Sequence, residues 1–337
     1  MGENMLKIFG KSFAVVAIAF SAIAAVNAQT VKGAITIPGL PTGVAVNYVT
    51  NRVYVAVPSF GGATDTLTVI NGKTDGVISN IKIPPVGFAV AVDVVRNVIY
   101  VGGQYTDANS LLQTKVAVIN GNNSKVTATI PISSTQTGFG IQGLAVNPVT
   151  GELYVANAND NVLHVINYGS KTISRTIDLD GQSPGGVTVN PVTNTVYVAL
   201  FGDLVDVING KTKTITTSAA VPGANLGVAV NWLSGGNVFV TNNTFGPGGI
   251  TSVLNSAGAV LATLSVGNTP YGVDVDLVRN LAYETNTGDQ TLYTIDGATN
   301  TIKSVLPVDG QTLAVNPVTG KVYVASSSSN VVTIVTE

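Results

Sequence analysis

The chain has 337 residues, no cysteine, one histidine and 10% charged residues, and its formal net charge at pH 7 is −2. The absence of thiols and the single imidazole exclude most zinc, haem and thiol chemistry, and disulfides cannot stabilise the fold. Because the net charge is small and negative, the composition provides no overall attraction for a phosphate backbone, and we expect no nucleic-acid partner.

The first 28 residues have the pattern of a secretory signal. Lys7 and Lys11 precede an unbroken run of 14 apolar and small residues, 13–26, and small side chains occupy the cleavage positions that follow. The run is short for a membrane span, whereas a charged start, an apolar middle and a small-residue exit are typical of a cleavable signal. We therefore expect residues 1–28 to be a signal peptide, with a membrane anchor as the alternative. The remainder is expected to be exported to a periplasm, to the cell surface or to the extracellular space, without a transmembrane segment.

After this signal the chain repeats one unit seven times. Each copy has a Gly-Val-Ala-Val-Asn-like run, a turn and a Val-Tyr-Val-Ala-like run. The runs are rich in Val, Ile, Thr and Tyr and are bounded by Gly, Asn, Asp or Pro, which predicts strands. The Asn or Asp that ends the first run, here called the anchor residue, recurs every 40 to 54 residues, at Asn47, Asp93, Asn147, Asn190, Asn231, Asp276 and Asn316. Such a period indicates a repeat architecture.

Each unit continues with a third run, which ends in Asn or Asp, and a fourth run. Asn-Gly and Asp-Gly pairs tolerate the positive φ of a tight hairpin, so we expect hairpin turns between these two runs. The pairs are Asn71-Gly72, Asn120-Gly121, Asn209-Gly210 and Asp296-Gly297. Four antiparallel strands in a unit of about 45 residues is the pattern of a propeller blade.

The two ends of the chain complement each other. The last repeat starts at Thr312 and stops at Glu337, after its third strand, whereas VKGAITIPG, from Val31, reads like the fourth strand of other units. We expect this N-terminal strand to complete the last blade, which would leave no open edge. The prediction is an all-β fold, a seven-bladed β-propeller of four-stranded blades in a single domain, 29–337. An open solenoid is the alternative, but a linear stack has no use for shared ends.

The repeat resembles a known family. The stretches NPVTNTVYVA, from Asn190, and VINGKT, from Val207, are similar to the YVTN-type β-propeller repeat. The resemblance extends over essentially the whole chain after the signal and is weakest in the fifth unit, where WLSGG, from Trp232, replaces the usual turn. It implies a propeller in an exported or surface protein. The family has no shared catalytic motif, so the resemblance assigns no active-site residue.

The residues that enter the first strand of each unit are expected to surround the mouth of the central channel. None of them is ionisable near neutral pH, whereas acid–base or metal chemistry needs carboxylates or histidines. We interpret them as a neutral contact surface. The binding candidates at this channel mouth are Thr42, Phe88, Gln142, Leu226, Tyr271 and Gln311.

Long loops interrupt the repeat and carry aromatic residues of the kind that anchor contacts. The loop contact candidates are Tyr105, Phe139 and Phe245. Loops of this kind also vary freely on propellers, which is the alternative interpretation. His164, the single histidine, occupies a third-strand position where other repeats have mostly polar residues, and we expect it to face solvent.

The sixth unit is rich in carboxylates. Asp274 replaces the small residue of the first strand, Glu284 replaces the Val of other repeats, and Asp276 and Asp289 are nearby. Oxygen-rich clusters suit a hard cation, which makes these four the metal candidates, with Ca²⁺ as the possible ion. If Asp276 pairs with Leu281, however, strand alternation points the two substituted carboxylates to different faces. Solvated or locally paired carboxylates are therefore the alternative.

Together these features favour an exported, non-catalytic binding or scaffold module of the cell envelope or surface. We expect a monomer that needs no cofactor and whose partner is an envelope or surface protein or glycan. The alternative is a lactonase-like or quinone-dependent dehydrogenase-like propeller enzyme, with a metal or cofactor at the central channel, which only the acidic sixth unit supports. A structural surface-layer component is a third class, less favoured because the chain holds a single ring.

Overall fold

The structure is a computed structural model that describes residues 29–59, 64–85, 87–107, 111–135, 139–243 and 248–337. The expected signal peptide, 1–28, lies outside the described residues. In the part that is described, 28 strands form seven four-stranded sheets. A helix long and apolar enough to cross a membrane is absent from the same residues.

Each sheet is one blade, and the strands are numbered in chain order. The first strand of the chain is β1 (Thr30–Thr36). Blade 1 consists of β2 (Gly43–Asn47), β3 (Arg52–Val57), β4 (Asp65–Asn71) and β5 (Gly76–Ile83). Blade 2 consists of β6 (Ala89–Asp93), β7 (Val98–Thr106), β8 (Leu112–Asn120) and β9 (Lys125–Thr135). Blade 3 consists of β10 (Ile141–Asn147), β11 (Glu152–Asn157), β12 (Val162–Asn167) and β13 (Thr172–Asp178).

The remaining blades repeat this order. Blade 4 consists of β14 (Pro184–Asn190), β15 (Thr195–Leu200), β16 (Leu204–Asn209) and β17 (Thr214–Ala220). Blade 5 consists of β18 (Ala224–Val230), β19 (Val238–Asn243), β20 (Ile250–Leu254) and β21 (Val260–Ser265). Blade 6 consists of β22 (Pro270–Asp276), β23 (Leu281–Asn286), β24 (Thr291–Asp296) and β25 (Thr301–Pro307). Blade 7 contains β26 (Thr312–Asn316), β27 (Lys321–Ala325) and β28 (Val331–Thr336).

The N-terminal strand completes the last blade. β1 pairs antiparallel with β28, from Thr30 opposite Thr336 to Thr36 opposite Val331. The innermost strand of each blade contacts that of the next, and β26 contacts β2, so the ring is closed. The predicted seven-bladed propeller, with its N-terminal strand in the last blade, is confirmed.

The core lies between neighbouring blades. The second strand of each blade is apolar along most of its length because adjacent blades cover both of its faces. An aromatic side chain at most 2% exposed lies in each of these strands, at Tyr54, Tyr100, Tyr154, Tyr197, Phe239, Tyr283 and Tyr323. Tyr54 packs with Ile99 of the next blade, and Tyr323 of blade 7 packs with Val55 of blade 1. The hydrophobic core therefore joins blade 7 to blade 1, at the place where the β1–β28 hydrogen bonds also close the ring.

Anchor residues shape the turn between the first and second strands. Oδ1 of Asn47 accepts hydrogen bonds from the backbone N atoms of Val49 and Thr50, both at 3.1 Å, and Asn51 then adopts a φ of 50°. A short side chain with an oxygen acceptor satisfies the turn backbone, which explains why every repeat has Asn or Asp here. The same pair of bonds recurs at Asp93, Asn147, Asn190, Asp276 and Asn316.

The predicted Asn-Gly hairpins are present, but their glycines serve a different purpose from the one expected. β4 pairs with β5 across Asn71-Gly72, yet the positive φ falls at Asp75, at 59°. The N atom of Gly72 donates to the carbonyl of Asn51 at 2.9 Å, and a Cβ on Gly72 would collide with the Asn51 side chain. Close approach of two turns, and not backbone conformation, therefore requires this glycine.

His164 is buried, so the expectation that it faces solvent is wrong. It is 7% exposed, and its Nδ1 lies 3.0 Å from Oγ1 of Thr176 on the fourth strand. Neighbouring blades cover the third strands as well as the second, and at this position Thr68, His164 and Asp206 pair across to the fourth strand. In blade 1, for example, Thr68 is fully buried and donates to Asn80 at 2.8 Å. Burial lowers the pKa of His164.

Candidate functional site

A central channel lies between the innermost strands. It comprises a cavity of about 350 Å³ and a smaller one of about 180 Å³. We call the end of the disc with the loops between second and third strands, and between blades, the loop face. The opposite end, with the turns after the first and third strands, is the turn face. The smaller cavity belongs to the loop face, because its lining includes the residues that enter the innermost strands.

The channel mouth at the loop face brings most of the binding candidates together. Those that line the smaller cavity are Thr42, Phe88, Gln142, Leu226 and Tyr271. Gln311 is next to the lining residue Thr312, and its side chain forms a hydrogen bond with the Tyr271 hydroxyl. Burial raises the pKa of Tyr271, and the hydrogen bond with Gln311 opposes this shift. Phe88 is 38% exposed. The rim is therefore uncharged and partly aromatic, which suits contact with a neutral group.

Blade 2 projects beyond the rest of the loop face. β7 has nine residues, whereas the second strands of the other blades have five or six. β8 also has nine, whereas the third strands of the other blades have five to seven. The pairing continues as far as Thr106 opposite Leu112. Three additional residues at the rise of a strand extend the hairpin by about 10 Å. The extension therefore rises on the blade 2 side of the loop face.

The loop contact candidates differ in their surroundings. Tyr105 belongs to the blade 2 extension, where the Lys115 ammonium lies 4.3 Å from its ring centroid and donates to its hydroxyl. Phe139 is 74% exposed in the loop that enters blade 3. Phe245 lies outside the described residues. Phe139 is therefore the most accessible aromatic side chain of the two that are described.

Asp274 faces the channel, but both of its oxygens have partners. Oδ1 accepts from the backbone N of Val275, and Oδ2 accepts from that of Val315 in blade 7, each at 2.8 Å. Burial raises the pKa of this carboxyl to about 6, although the two hydrogen bonds oppose the shift. The side chain joins blades 6 and 7 and is also the one carboxylate among the residues that line the larger cavity.

The other acidic candidates are separated from it. Asp276, which pairs with Leu281, is buried and forms an ion pair with Arg279 at 2.9 Å. Asp289 is exposed in the loop after β23 and accepts from the hydroxyl of Thr291 at 2.9 Å. Over the described ranges, no three or more His, Cys, Asp or Glu side chains are grouped to hold a metal ion. Calcium binding by the four candidates stays a prediction.

Glu284 belongs to a buried polar cluster between blades 5 and 6 that was not predicted. Oε2 of Glu284 accepts from the Thr251 hydroxyl of blade 5. Among the described residues, Oε1 of Glu284 and both amide atoms of nearby Asn286 have no hydrogen-bond partner. Burial raises the pKa of Glu284 to about 8. The fully buried members are Asn225, Asn242, Thr251, Ser252, Glu284 and Asn286. Its signal in the sequence is TNN and ETN at the ends of β19 and β23, where other repeats are mostly apolar.

The two faces of the disc carry opposite charges. Each face comprises its loops or turns and the three strand residues next to them, within 29–337. The loop face has ten acidic side chains and one basic side chain, whereas the turn face has eleven basic and seven acidic ones. The small net charge of the chain therefore conceals a strong asymmetry, and the acidic loop face repels polyanions.

Comparisons with known proteins identify the fold and nothing finer. No family model and no curated protein sequence matches the chain. A structure of Kuenenia stuttgartiensis hydrazine synthase superposes with a TM-score of 0.71 and 16% identity, over 92% of this chain and 98% of that one. A crystal structure of the mitotic checkpoint complex superposes with a TM-score of 0.73 and 14% identity, over 94% and 95% of the two chains. The chain is thus similar to propeller-containing structures of different kinds, and what it shares with them is the β-propeller fold.

Proposed function

We propose that this chain is an exported, non-catalytic binding module of the cell envelope or surface, with repeats of the YVTN type. The observation that carries the proposal is the uncharged, partly aromatic mouth of the channel at the loop face. Thr42, Gln142 and Tyr271 supply hydroxyl and amide groups there, and Phe88 and Leu226 supply apolar surface. Such a surface recognises shape and hydrogen bonds and offers no acid or base to a reacting group.

The partner we propose is an envelope or surface protein or glycan that reaches the mouth beside the blade 2 extension. Aromatic side chains that are already held by the fold anchor such contacts at low cost in conformational entropy. The excess of acidic side chains on this face opposes nucleic acid, so the phosphate backbone is the least suitable partner. The pattern of 1–28 supports export, and the partner would be met outside the cytoplasm.

A capture experiment with envelope extract tests this function. We expect the immobilised protein to retain an envelope component and the double variant Phe88→Ala, Tyr271→Ala to lose it, because both rings line the mouth. Val305→Asp is the matched control, since Val305 is 45% exposed on the outer strand of blade 6, away from the mouth. Capture of no envelope component, or equal capture by the double variant, would contradict the proposal.

Asp274 supports a second candidate, the propeller enzyme with a metal or cofactor at the channel. It is a carboxyl group whose pKa is raised to about 6 and which lines the larger cavity. Metal and cofactor analysis of the purified protein and of Asp274→Asn discriminates between the two candidates. A stoichiometric group that is lost in the variant would favour the enzyme, whereas equal and trace content in both proteins would leave the binding module as the better account.

A further inference from the structure

The turn face carries a ring of apolar residues, part of which is exposed. In every blade, the two positions after the anchor are apolar, and we call these fourteen residues the apolar annulus. Its inner members, which line the channel, are Tyr48, Val94, Pro148, Pro191, Trp232, Leu277 and Pro317. Its outer members, at the tips of the turns, are Val49, Val95, Val149, Val192, Leu233, Val278 and Val318.

Several outer members are well exposed. Val49, Val95 and Val192 are 48%, 49% and 46% exposed. The anchor side chain already satisfies the backbone of these turns, and polar residues are the usual choice at such tips. A ring of aliphatic side chains around one opening of the channel is an exposed apolar surface of the kind that marks an interaction site.

Basic side chains surround this annulus. Eleven of the fourteen basic residues of 29–337 belong to the turn face, against seven acidic ones, so this face carries a net positive charge. Lys73 and Lys211 are exposed in turns between third and fourth strands, and Lys125 is exposed at the start of β9. Within the described residues none of the three is in an ion pair. The turn face therefore combines an apolar centre with a positively charged rim.

The chain also enters the ring on this side. β1 begins at Thr30, opposite Thr336, where the third strand of blade 7 reaches the turn face. The apolar run 13–26 is separated from that strand by only a few residues. If this run serves as a membrane anchor, the turn face is the side of the ring on which the chain enters the fold.

We propose that the turn face docks flat on a membrane surface rich in anionic lipid. The lysine rim complements the negative headgroups, and the valines reach the boundary between headgroups and acyl chains. A soluble polyanion is a less suitable partner, because it would pair with the lysines but leave the exposed valines in contact with water. A second copy docked face to face would bring two positive rims together. A second copy docked head to tail would meet the blade 2 extension, which prevents flat stacking.

Vesicle sedimentation tests this proposal. All seven sheets and the closing strand lie within 29–337, so this stretch is used, with its fold verified by circular dichroism. We expect it to sediment with vesicles of phosphatidylglycerol and phosphatidylcholine, to be released as salt is raised, and to remain in solution with phosphatidylcholine alone. Lys73→Gln and Lys211→Gln are each expected to weaken the partition coefficient about fivefold.

Matched variants separate the apolar from the electrostatic contribution. The triple variant Val49→Asp, Val95→Asp, Val192→Asp is expected to lower partitioning about tenfold or more, because it places charge where aliphatic groups enter the interface. Val305→Asp changes an equally exposed valine on the rim of the disc and is expected to bind as the unmodified protein does.

Three outcomes would overturn the proposal. These are equal sedimentation with both kinds of vesicle, sedimentation with neither, and unchanged binding by the triple variant. If the protein instead self-associates without lipid, and the triple variant abolishes that assembly, the annulus is an interface between copies. Because the capture experiment probes the loop face, its failure leaves this result unaffected, and the two proposals can be judged separately.

Discussion

Single residues of the sixth blade show how burial sets the behaviour of a carboxyl group. Glu284 is fully buried, has one hydrogen-bonded oxygen and has a pKa raised by desolvation to about 8, from 4.5. Its proton is therefore held more tightly in the folded than in the unfolded chain. Stability from this site is greatest below the unfolded pKa and falls as the pH rises from about 4.5 towards 8, because the unfolded chain then releases the proton first.

Glu284→Gln is expected to remove this pH dependence. The amide is neutral at every pH, so the free energy of unfolding should exceed that of the unmodified protein by about 2–4 kcal/mol at pH 9, with a difference near zero at pH 4. Denaturant unfolding at the two pH values measures this. Asp289→Asn, which changes an exposed carboxylate of the same blade, is the control. If the free energy of unfolding of Glu284→Gln varied with pH as that of the unmodified protein does, the raised pKa of Glu284 would be contradicted.

At the scale of the elements, neighbouring turns of the turn face are joined in two alternative ways. In the first, the anchor Asn of one blade donates through Nδ2 to an Asn in the turn of the next, as Asn47 does to Asn97 at 2.9 Å. The pairs are Asn47 with Asn97, Asn147 with Asn194, Asn231 with Asn280, and Asn316 with Asn51. These bonds join four of the seven pairs of neighbouring blades at their innermost turns.

The second way uses an Asp anchor, an Arg three residues later and a Gly in the following turn. Arg279 forms an ion pair with Asp276 and donates to the carbonyl of Pro317 in blade 7 at 3.2 Å. A Cβ on Gly320 would lie 2.7 Å from Cζ of Arg279, so the guanidinium occupies the space of the missing side chain. Between blades 2 and 3, Asp93, Arg96 and Gly151 form the same arrangement.

Gly320→Asn is therefore expected to destabilise the protein by about 1–2 kcal/mol through collision with Arg279. Adding Asp276→Asn and Arg279→Thr should restore most of this loss, because the triple variant recreates the Asn–Asn contact of other blades. Thermal unfolding of the single and combined variants measures the coupling. Gly181→Asn is the control, since Gly181 has a similar φ of 76° and nothing within 4 Å of a Cβ. Equal losses at positions 320 and 181 would rule out the collision.

At the scale of the whole molecule, closure of the ring depends on a strand from the other end of the chain. β1 covers the edge of β28, and Ile35 and Ile37 of the N-terminal segment are buried against the side chains of blades 7 and 1. An uncovered edge would present unpaired backbone groups and favour association between molecules. The N-terminal segment thus contributes hydrogen bonds and core packing at the same place.

Deletion of 31–38 is expected to lower the melting temperature and to replace the monomer by aggregates. Light scattering after size-exclusion chromatography and thermal unfolding measure the two effects. The double variant Ile35→Ala, Ile37→Ala keeps the strand and removes only its buried side chains, at a cost of about 2–5 kcal/mol each, and should stay monomeric. A deletion variant as stable and monomeric as the intact protein would contradict the role of β1 in closure.

The local pattern of the chain determined its strands, its turns and the number of its blades. These features are properties of short stretches, so they can be predicted without a structure. They are the strands, the anchor residues that accept hydrogen bonds from their own turns, and the fourth-strand segment that lies at the N-terminus. The residues entering the innermost strands could be placed at one end of a channel for the same reason. Export, the partner and calcium binding stay predictions.

Only the tertiary structure decided where polar side chains lie relative to other blades. His164 is buried because neighbouring blades cover a strand that was expected to be half exposed, and Glu284 meets Thr251 of blade 5 across an interface. The Asn–Asn contacts, the dispersed carboxylates and the opposite charges of the two faces likewise depend on residues some 50 positions apart, as Asn47 and Asn97 are. A local pattern specifies backbone geometry, whereas the dielectric surroundings and partners of a side chain are set by whichever blade the closed ring places against it.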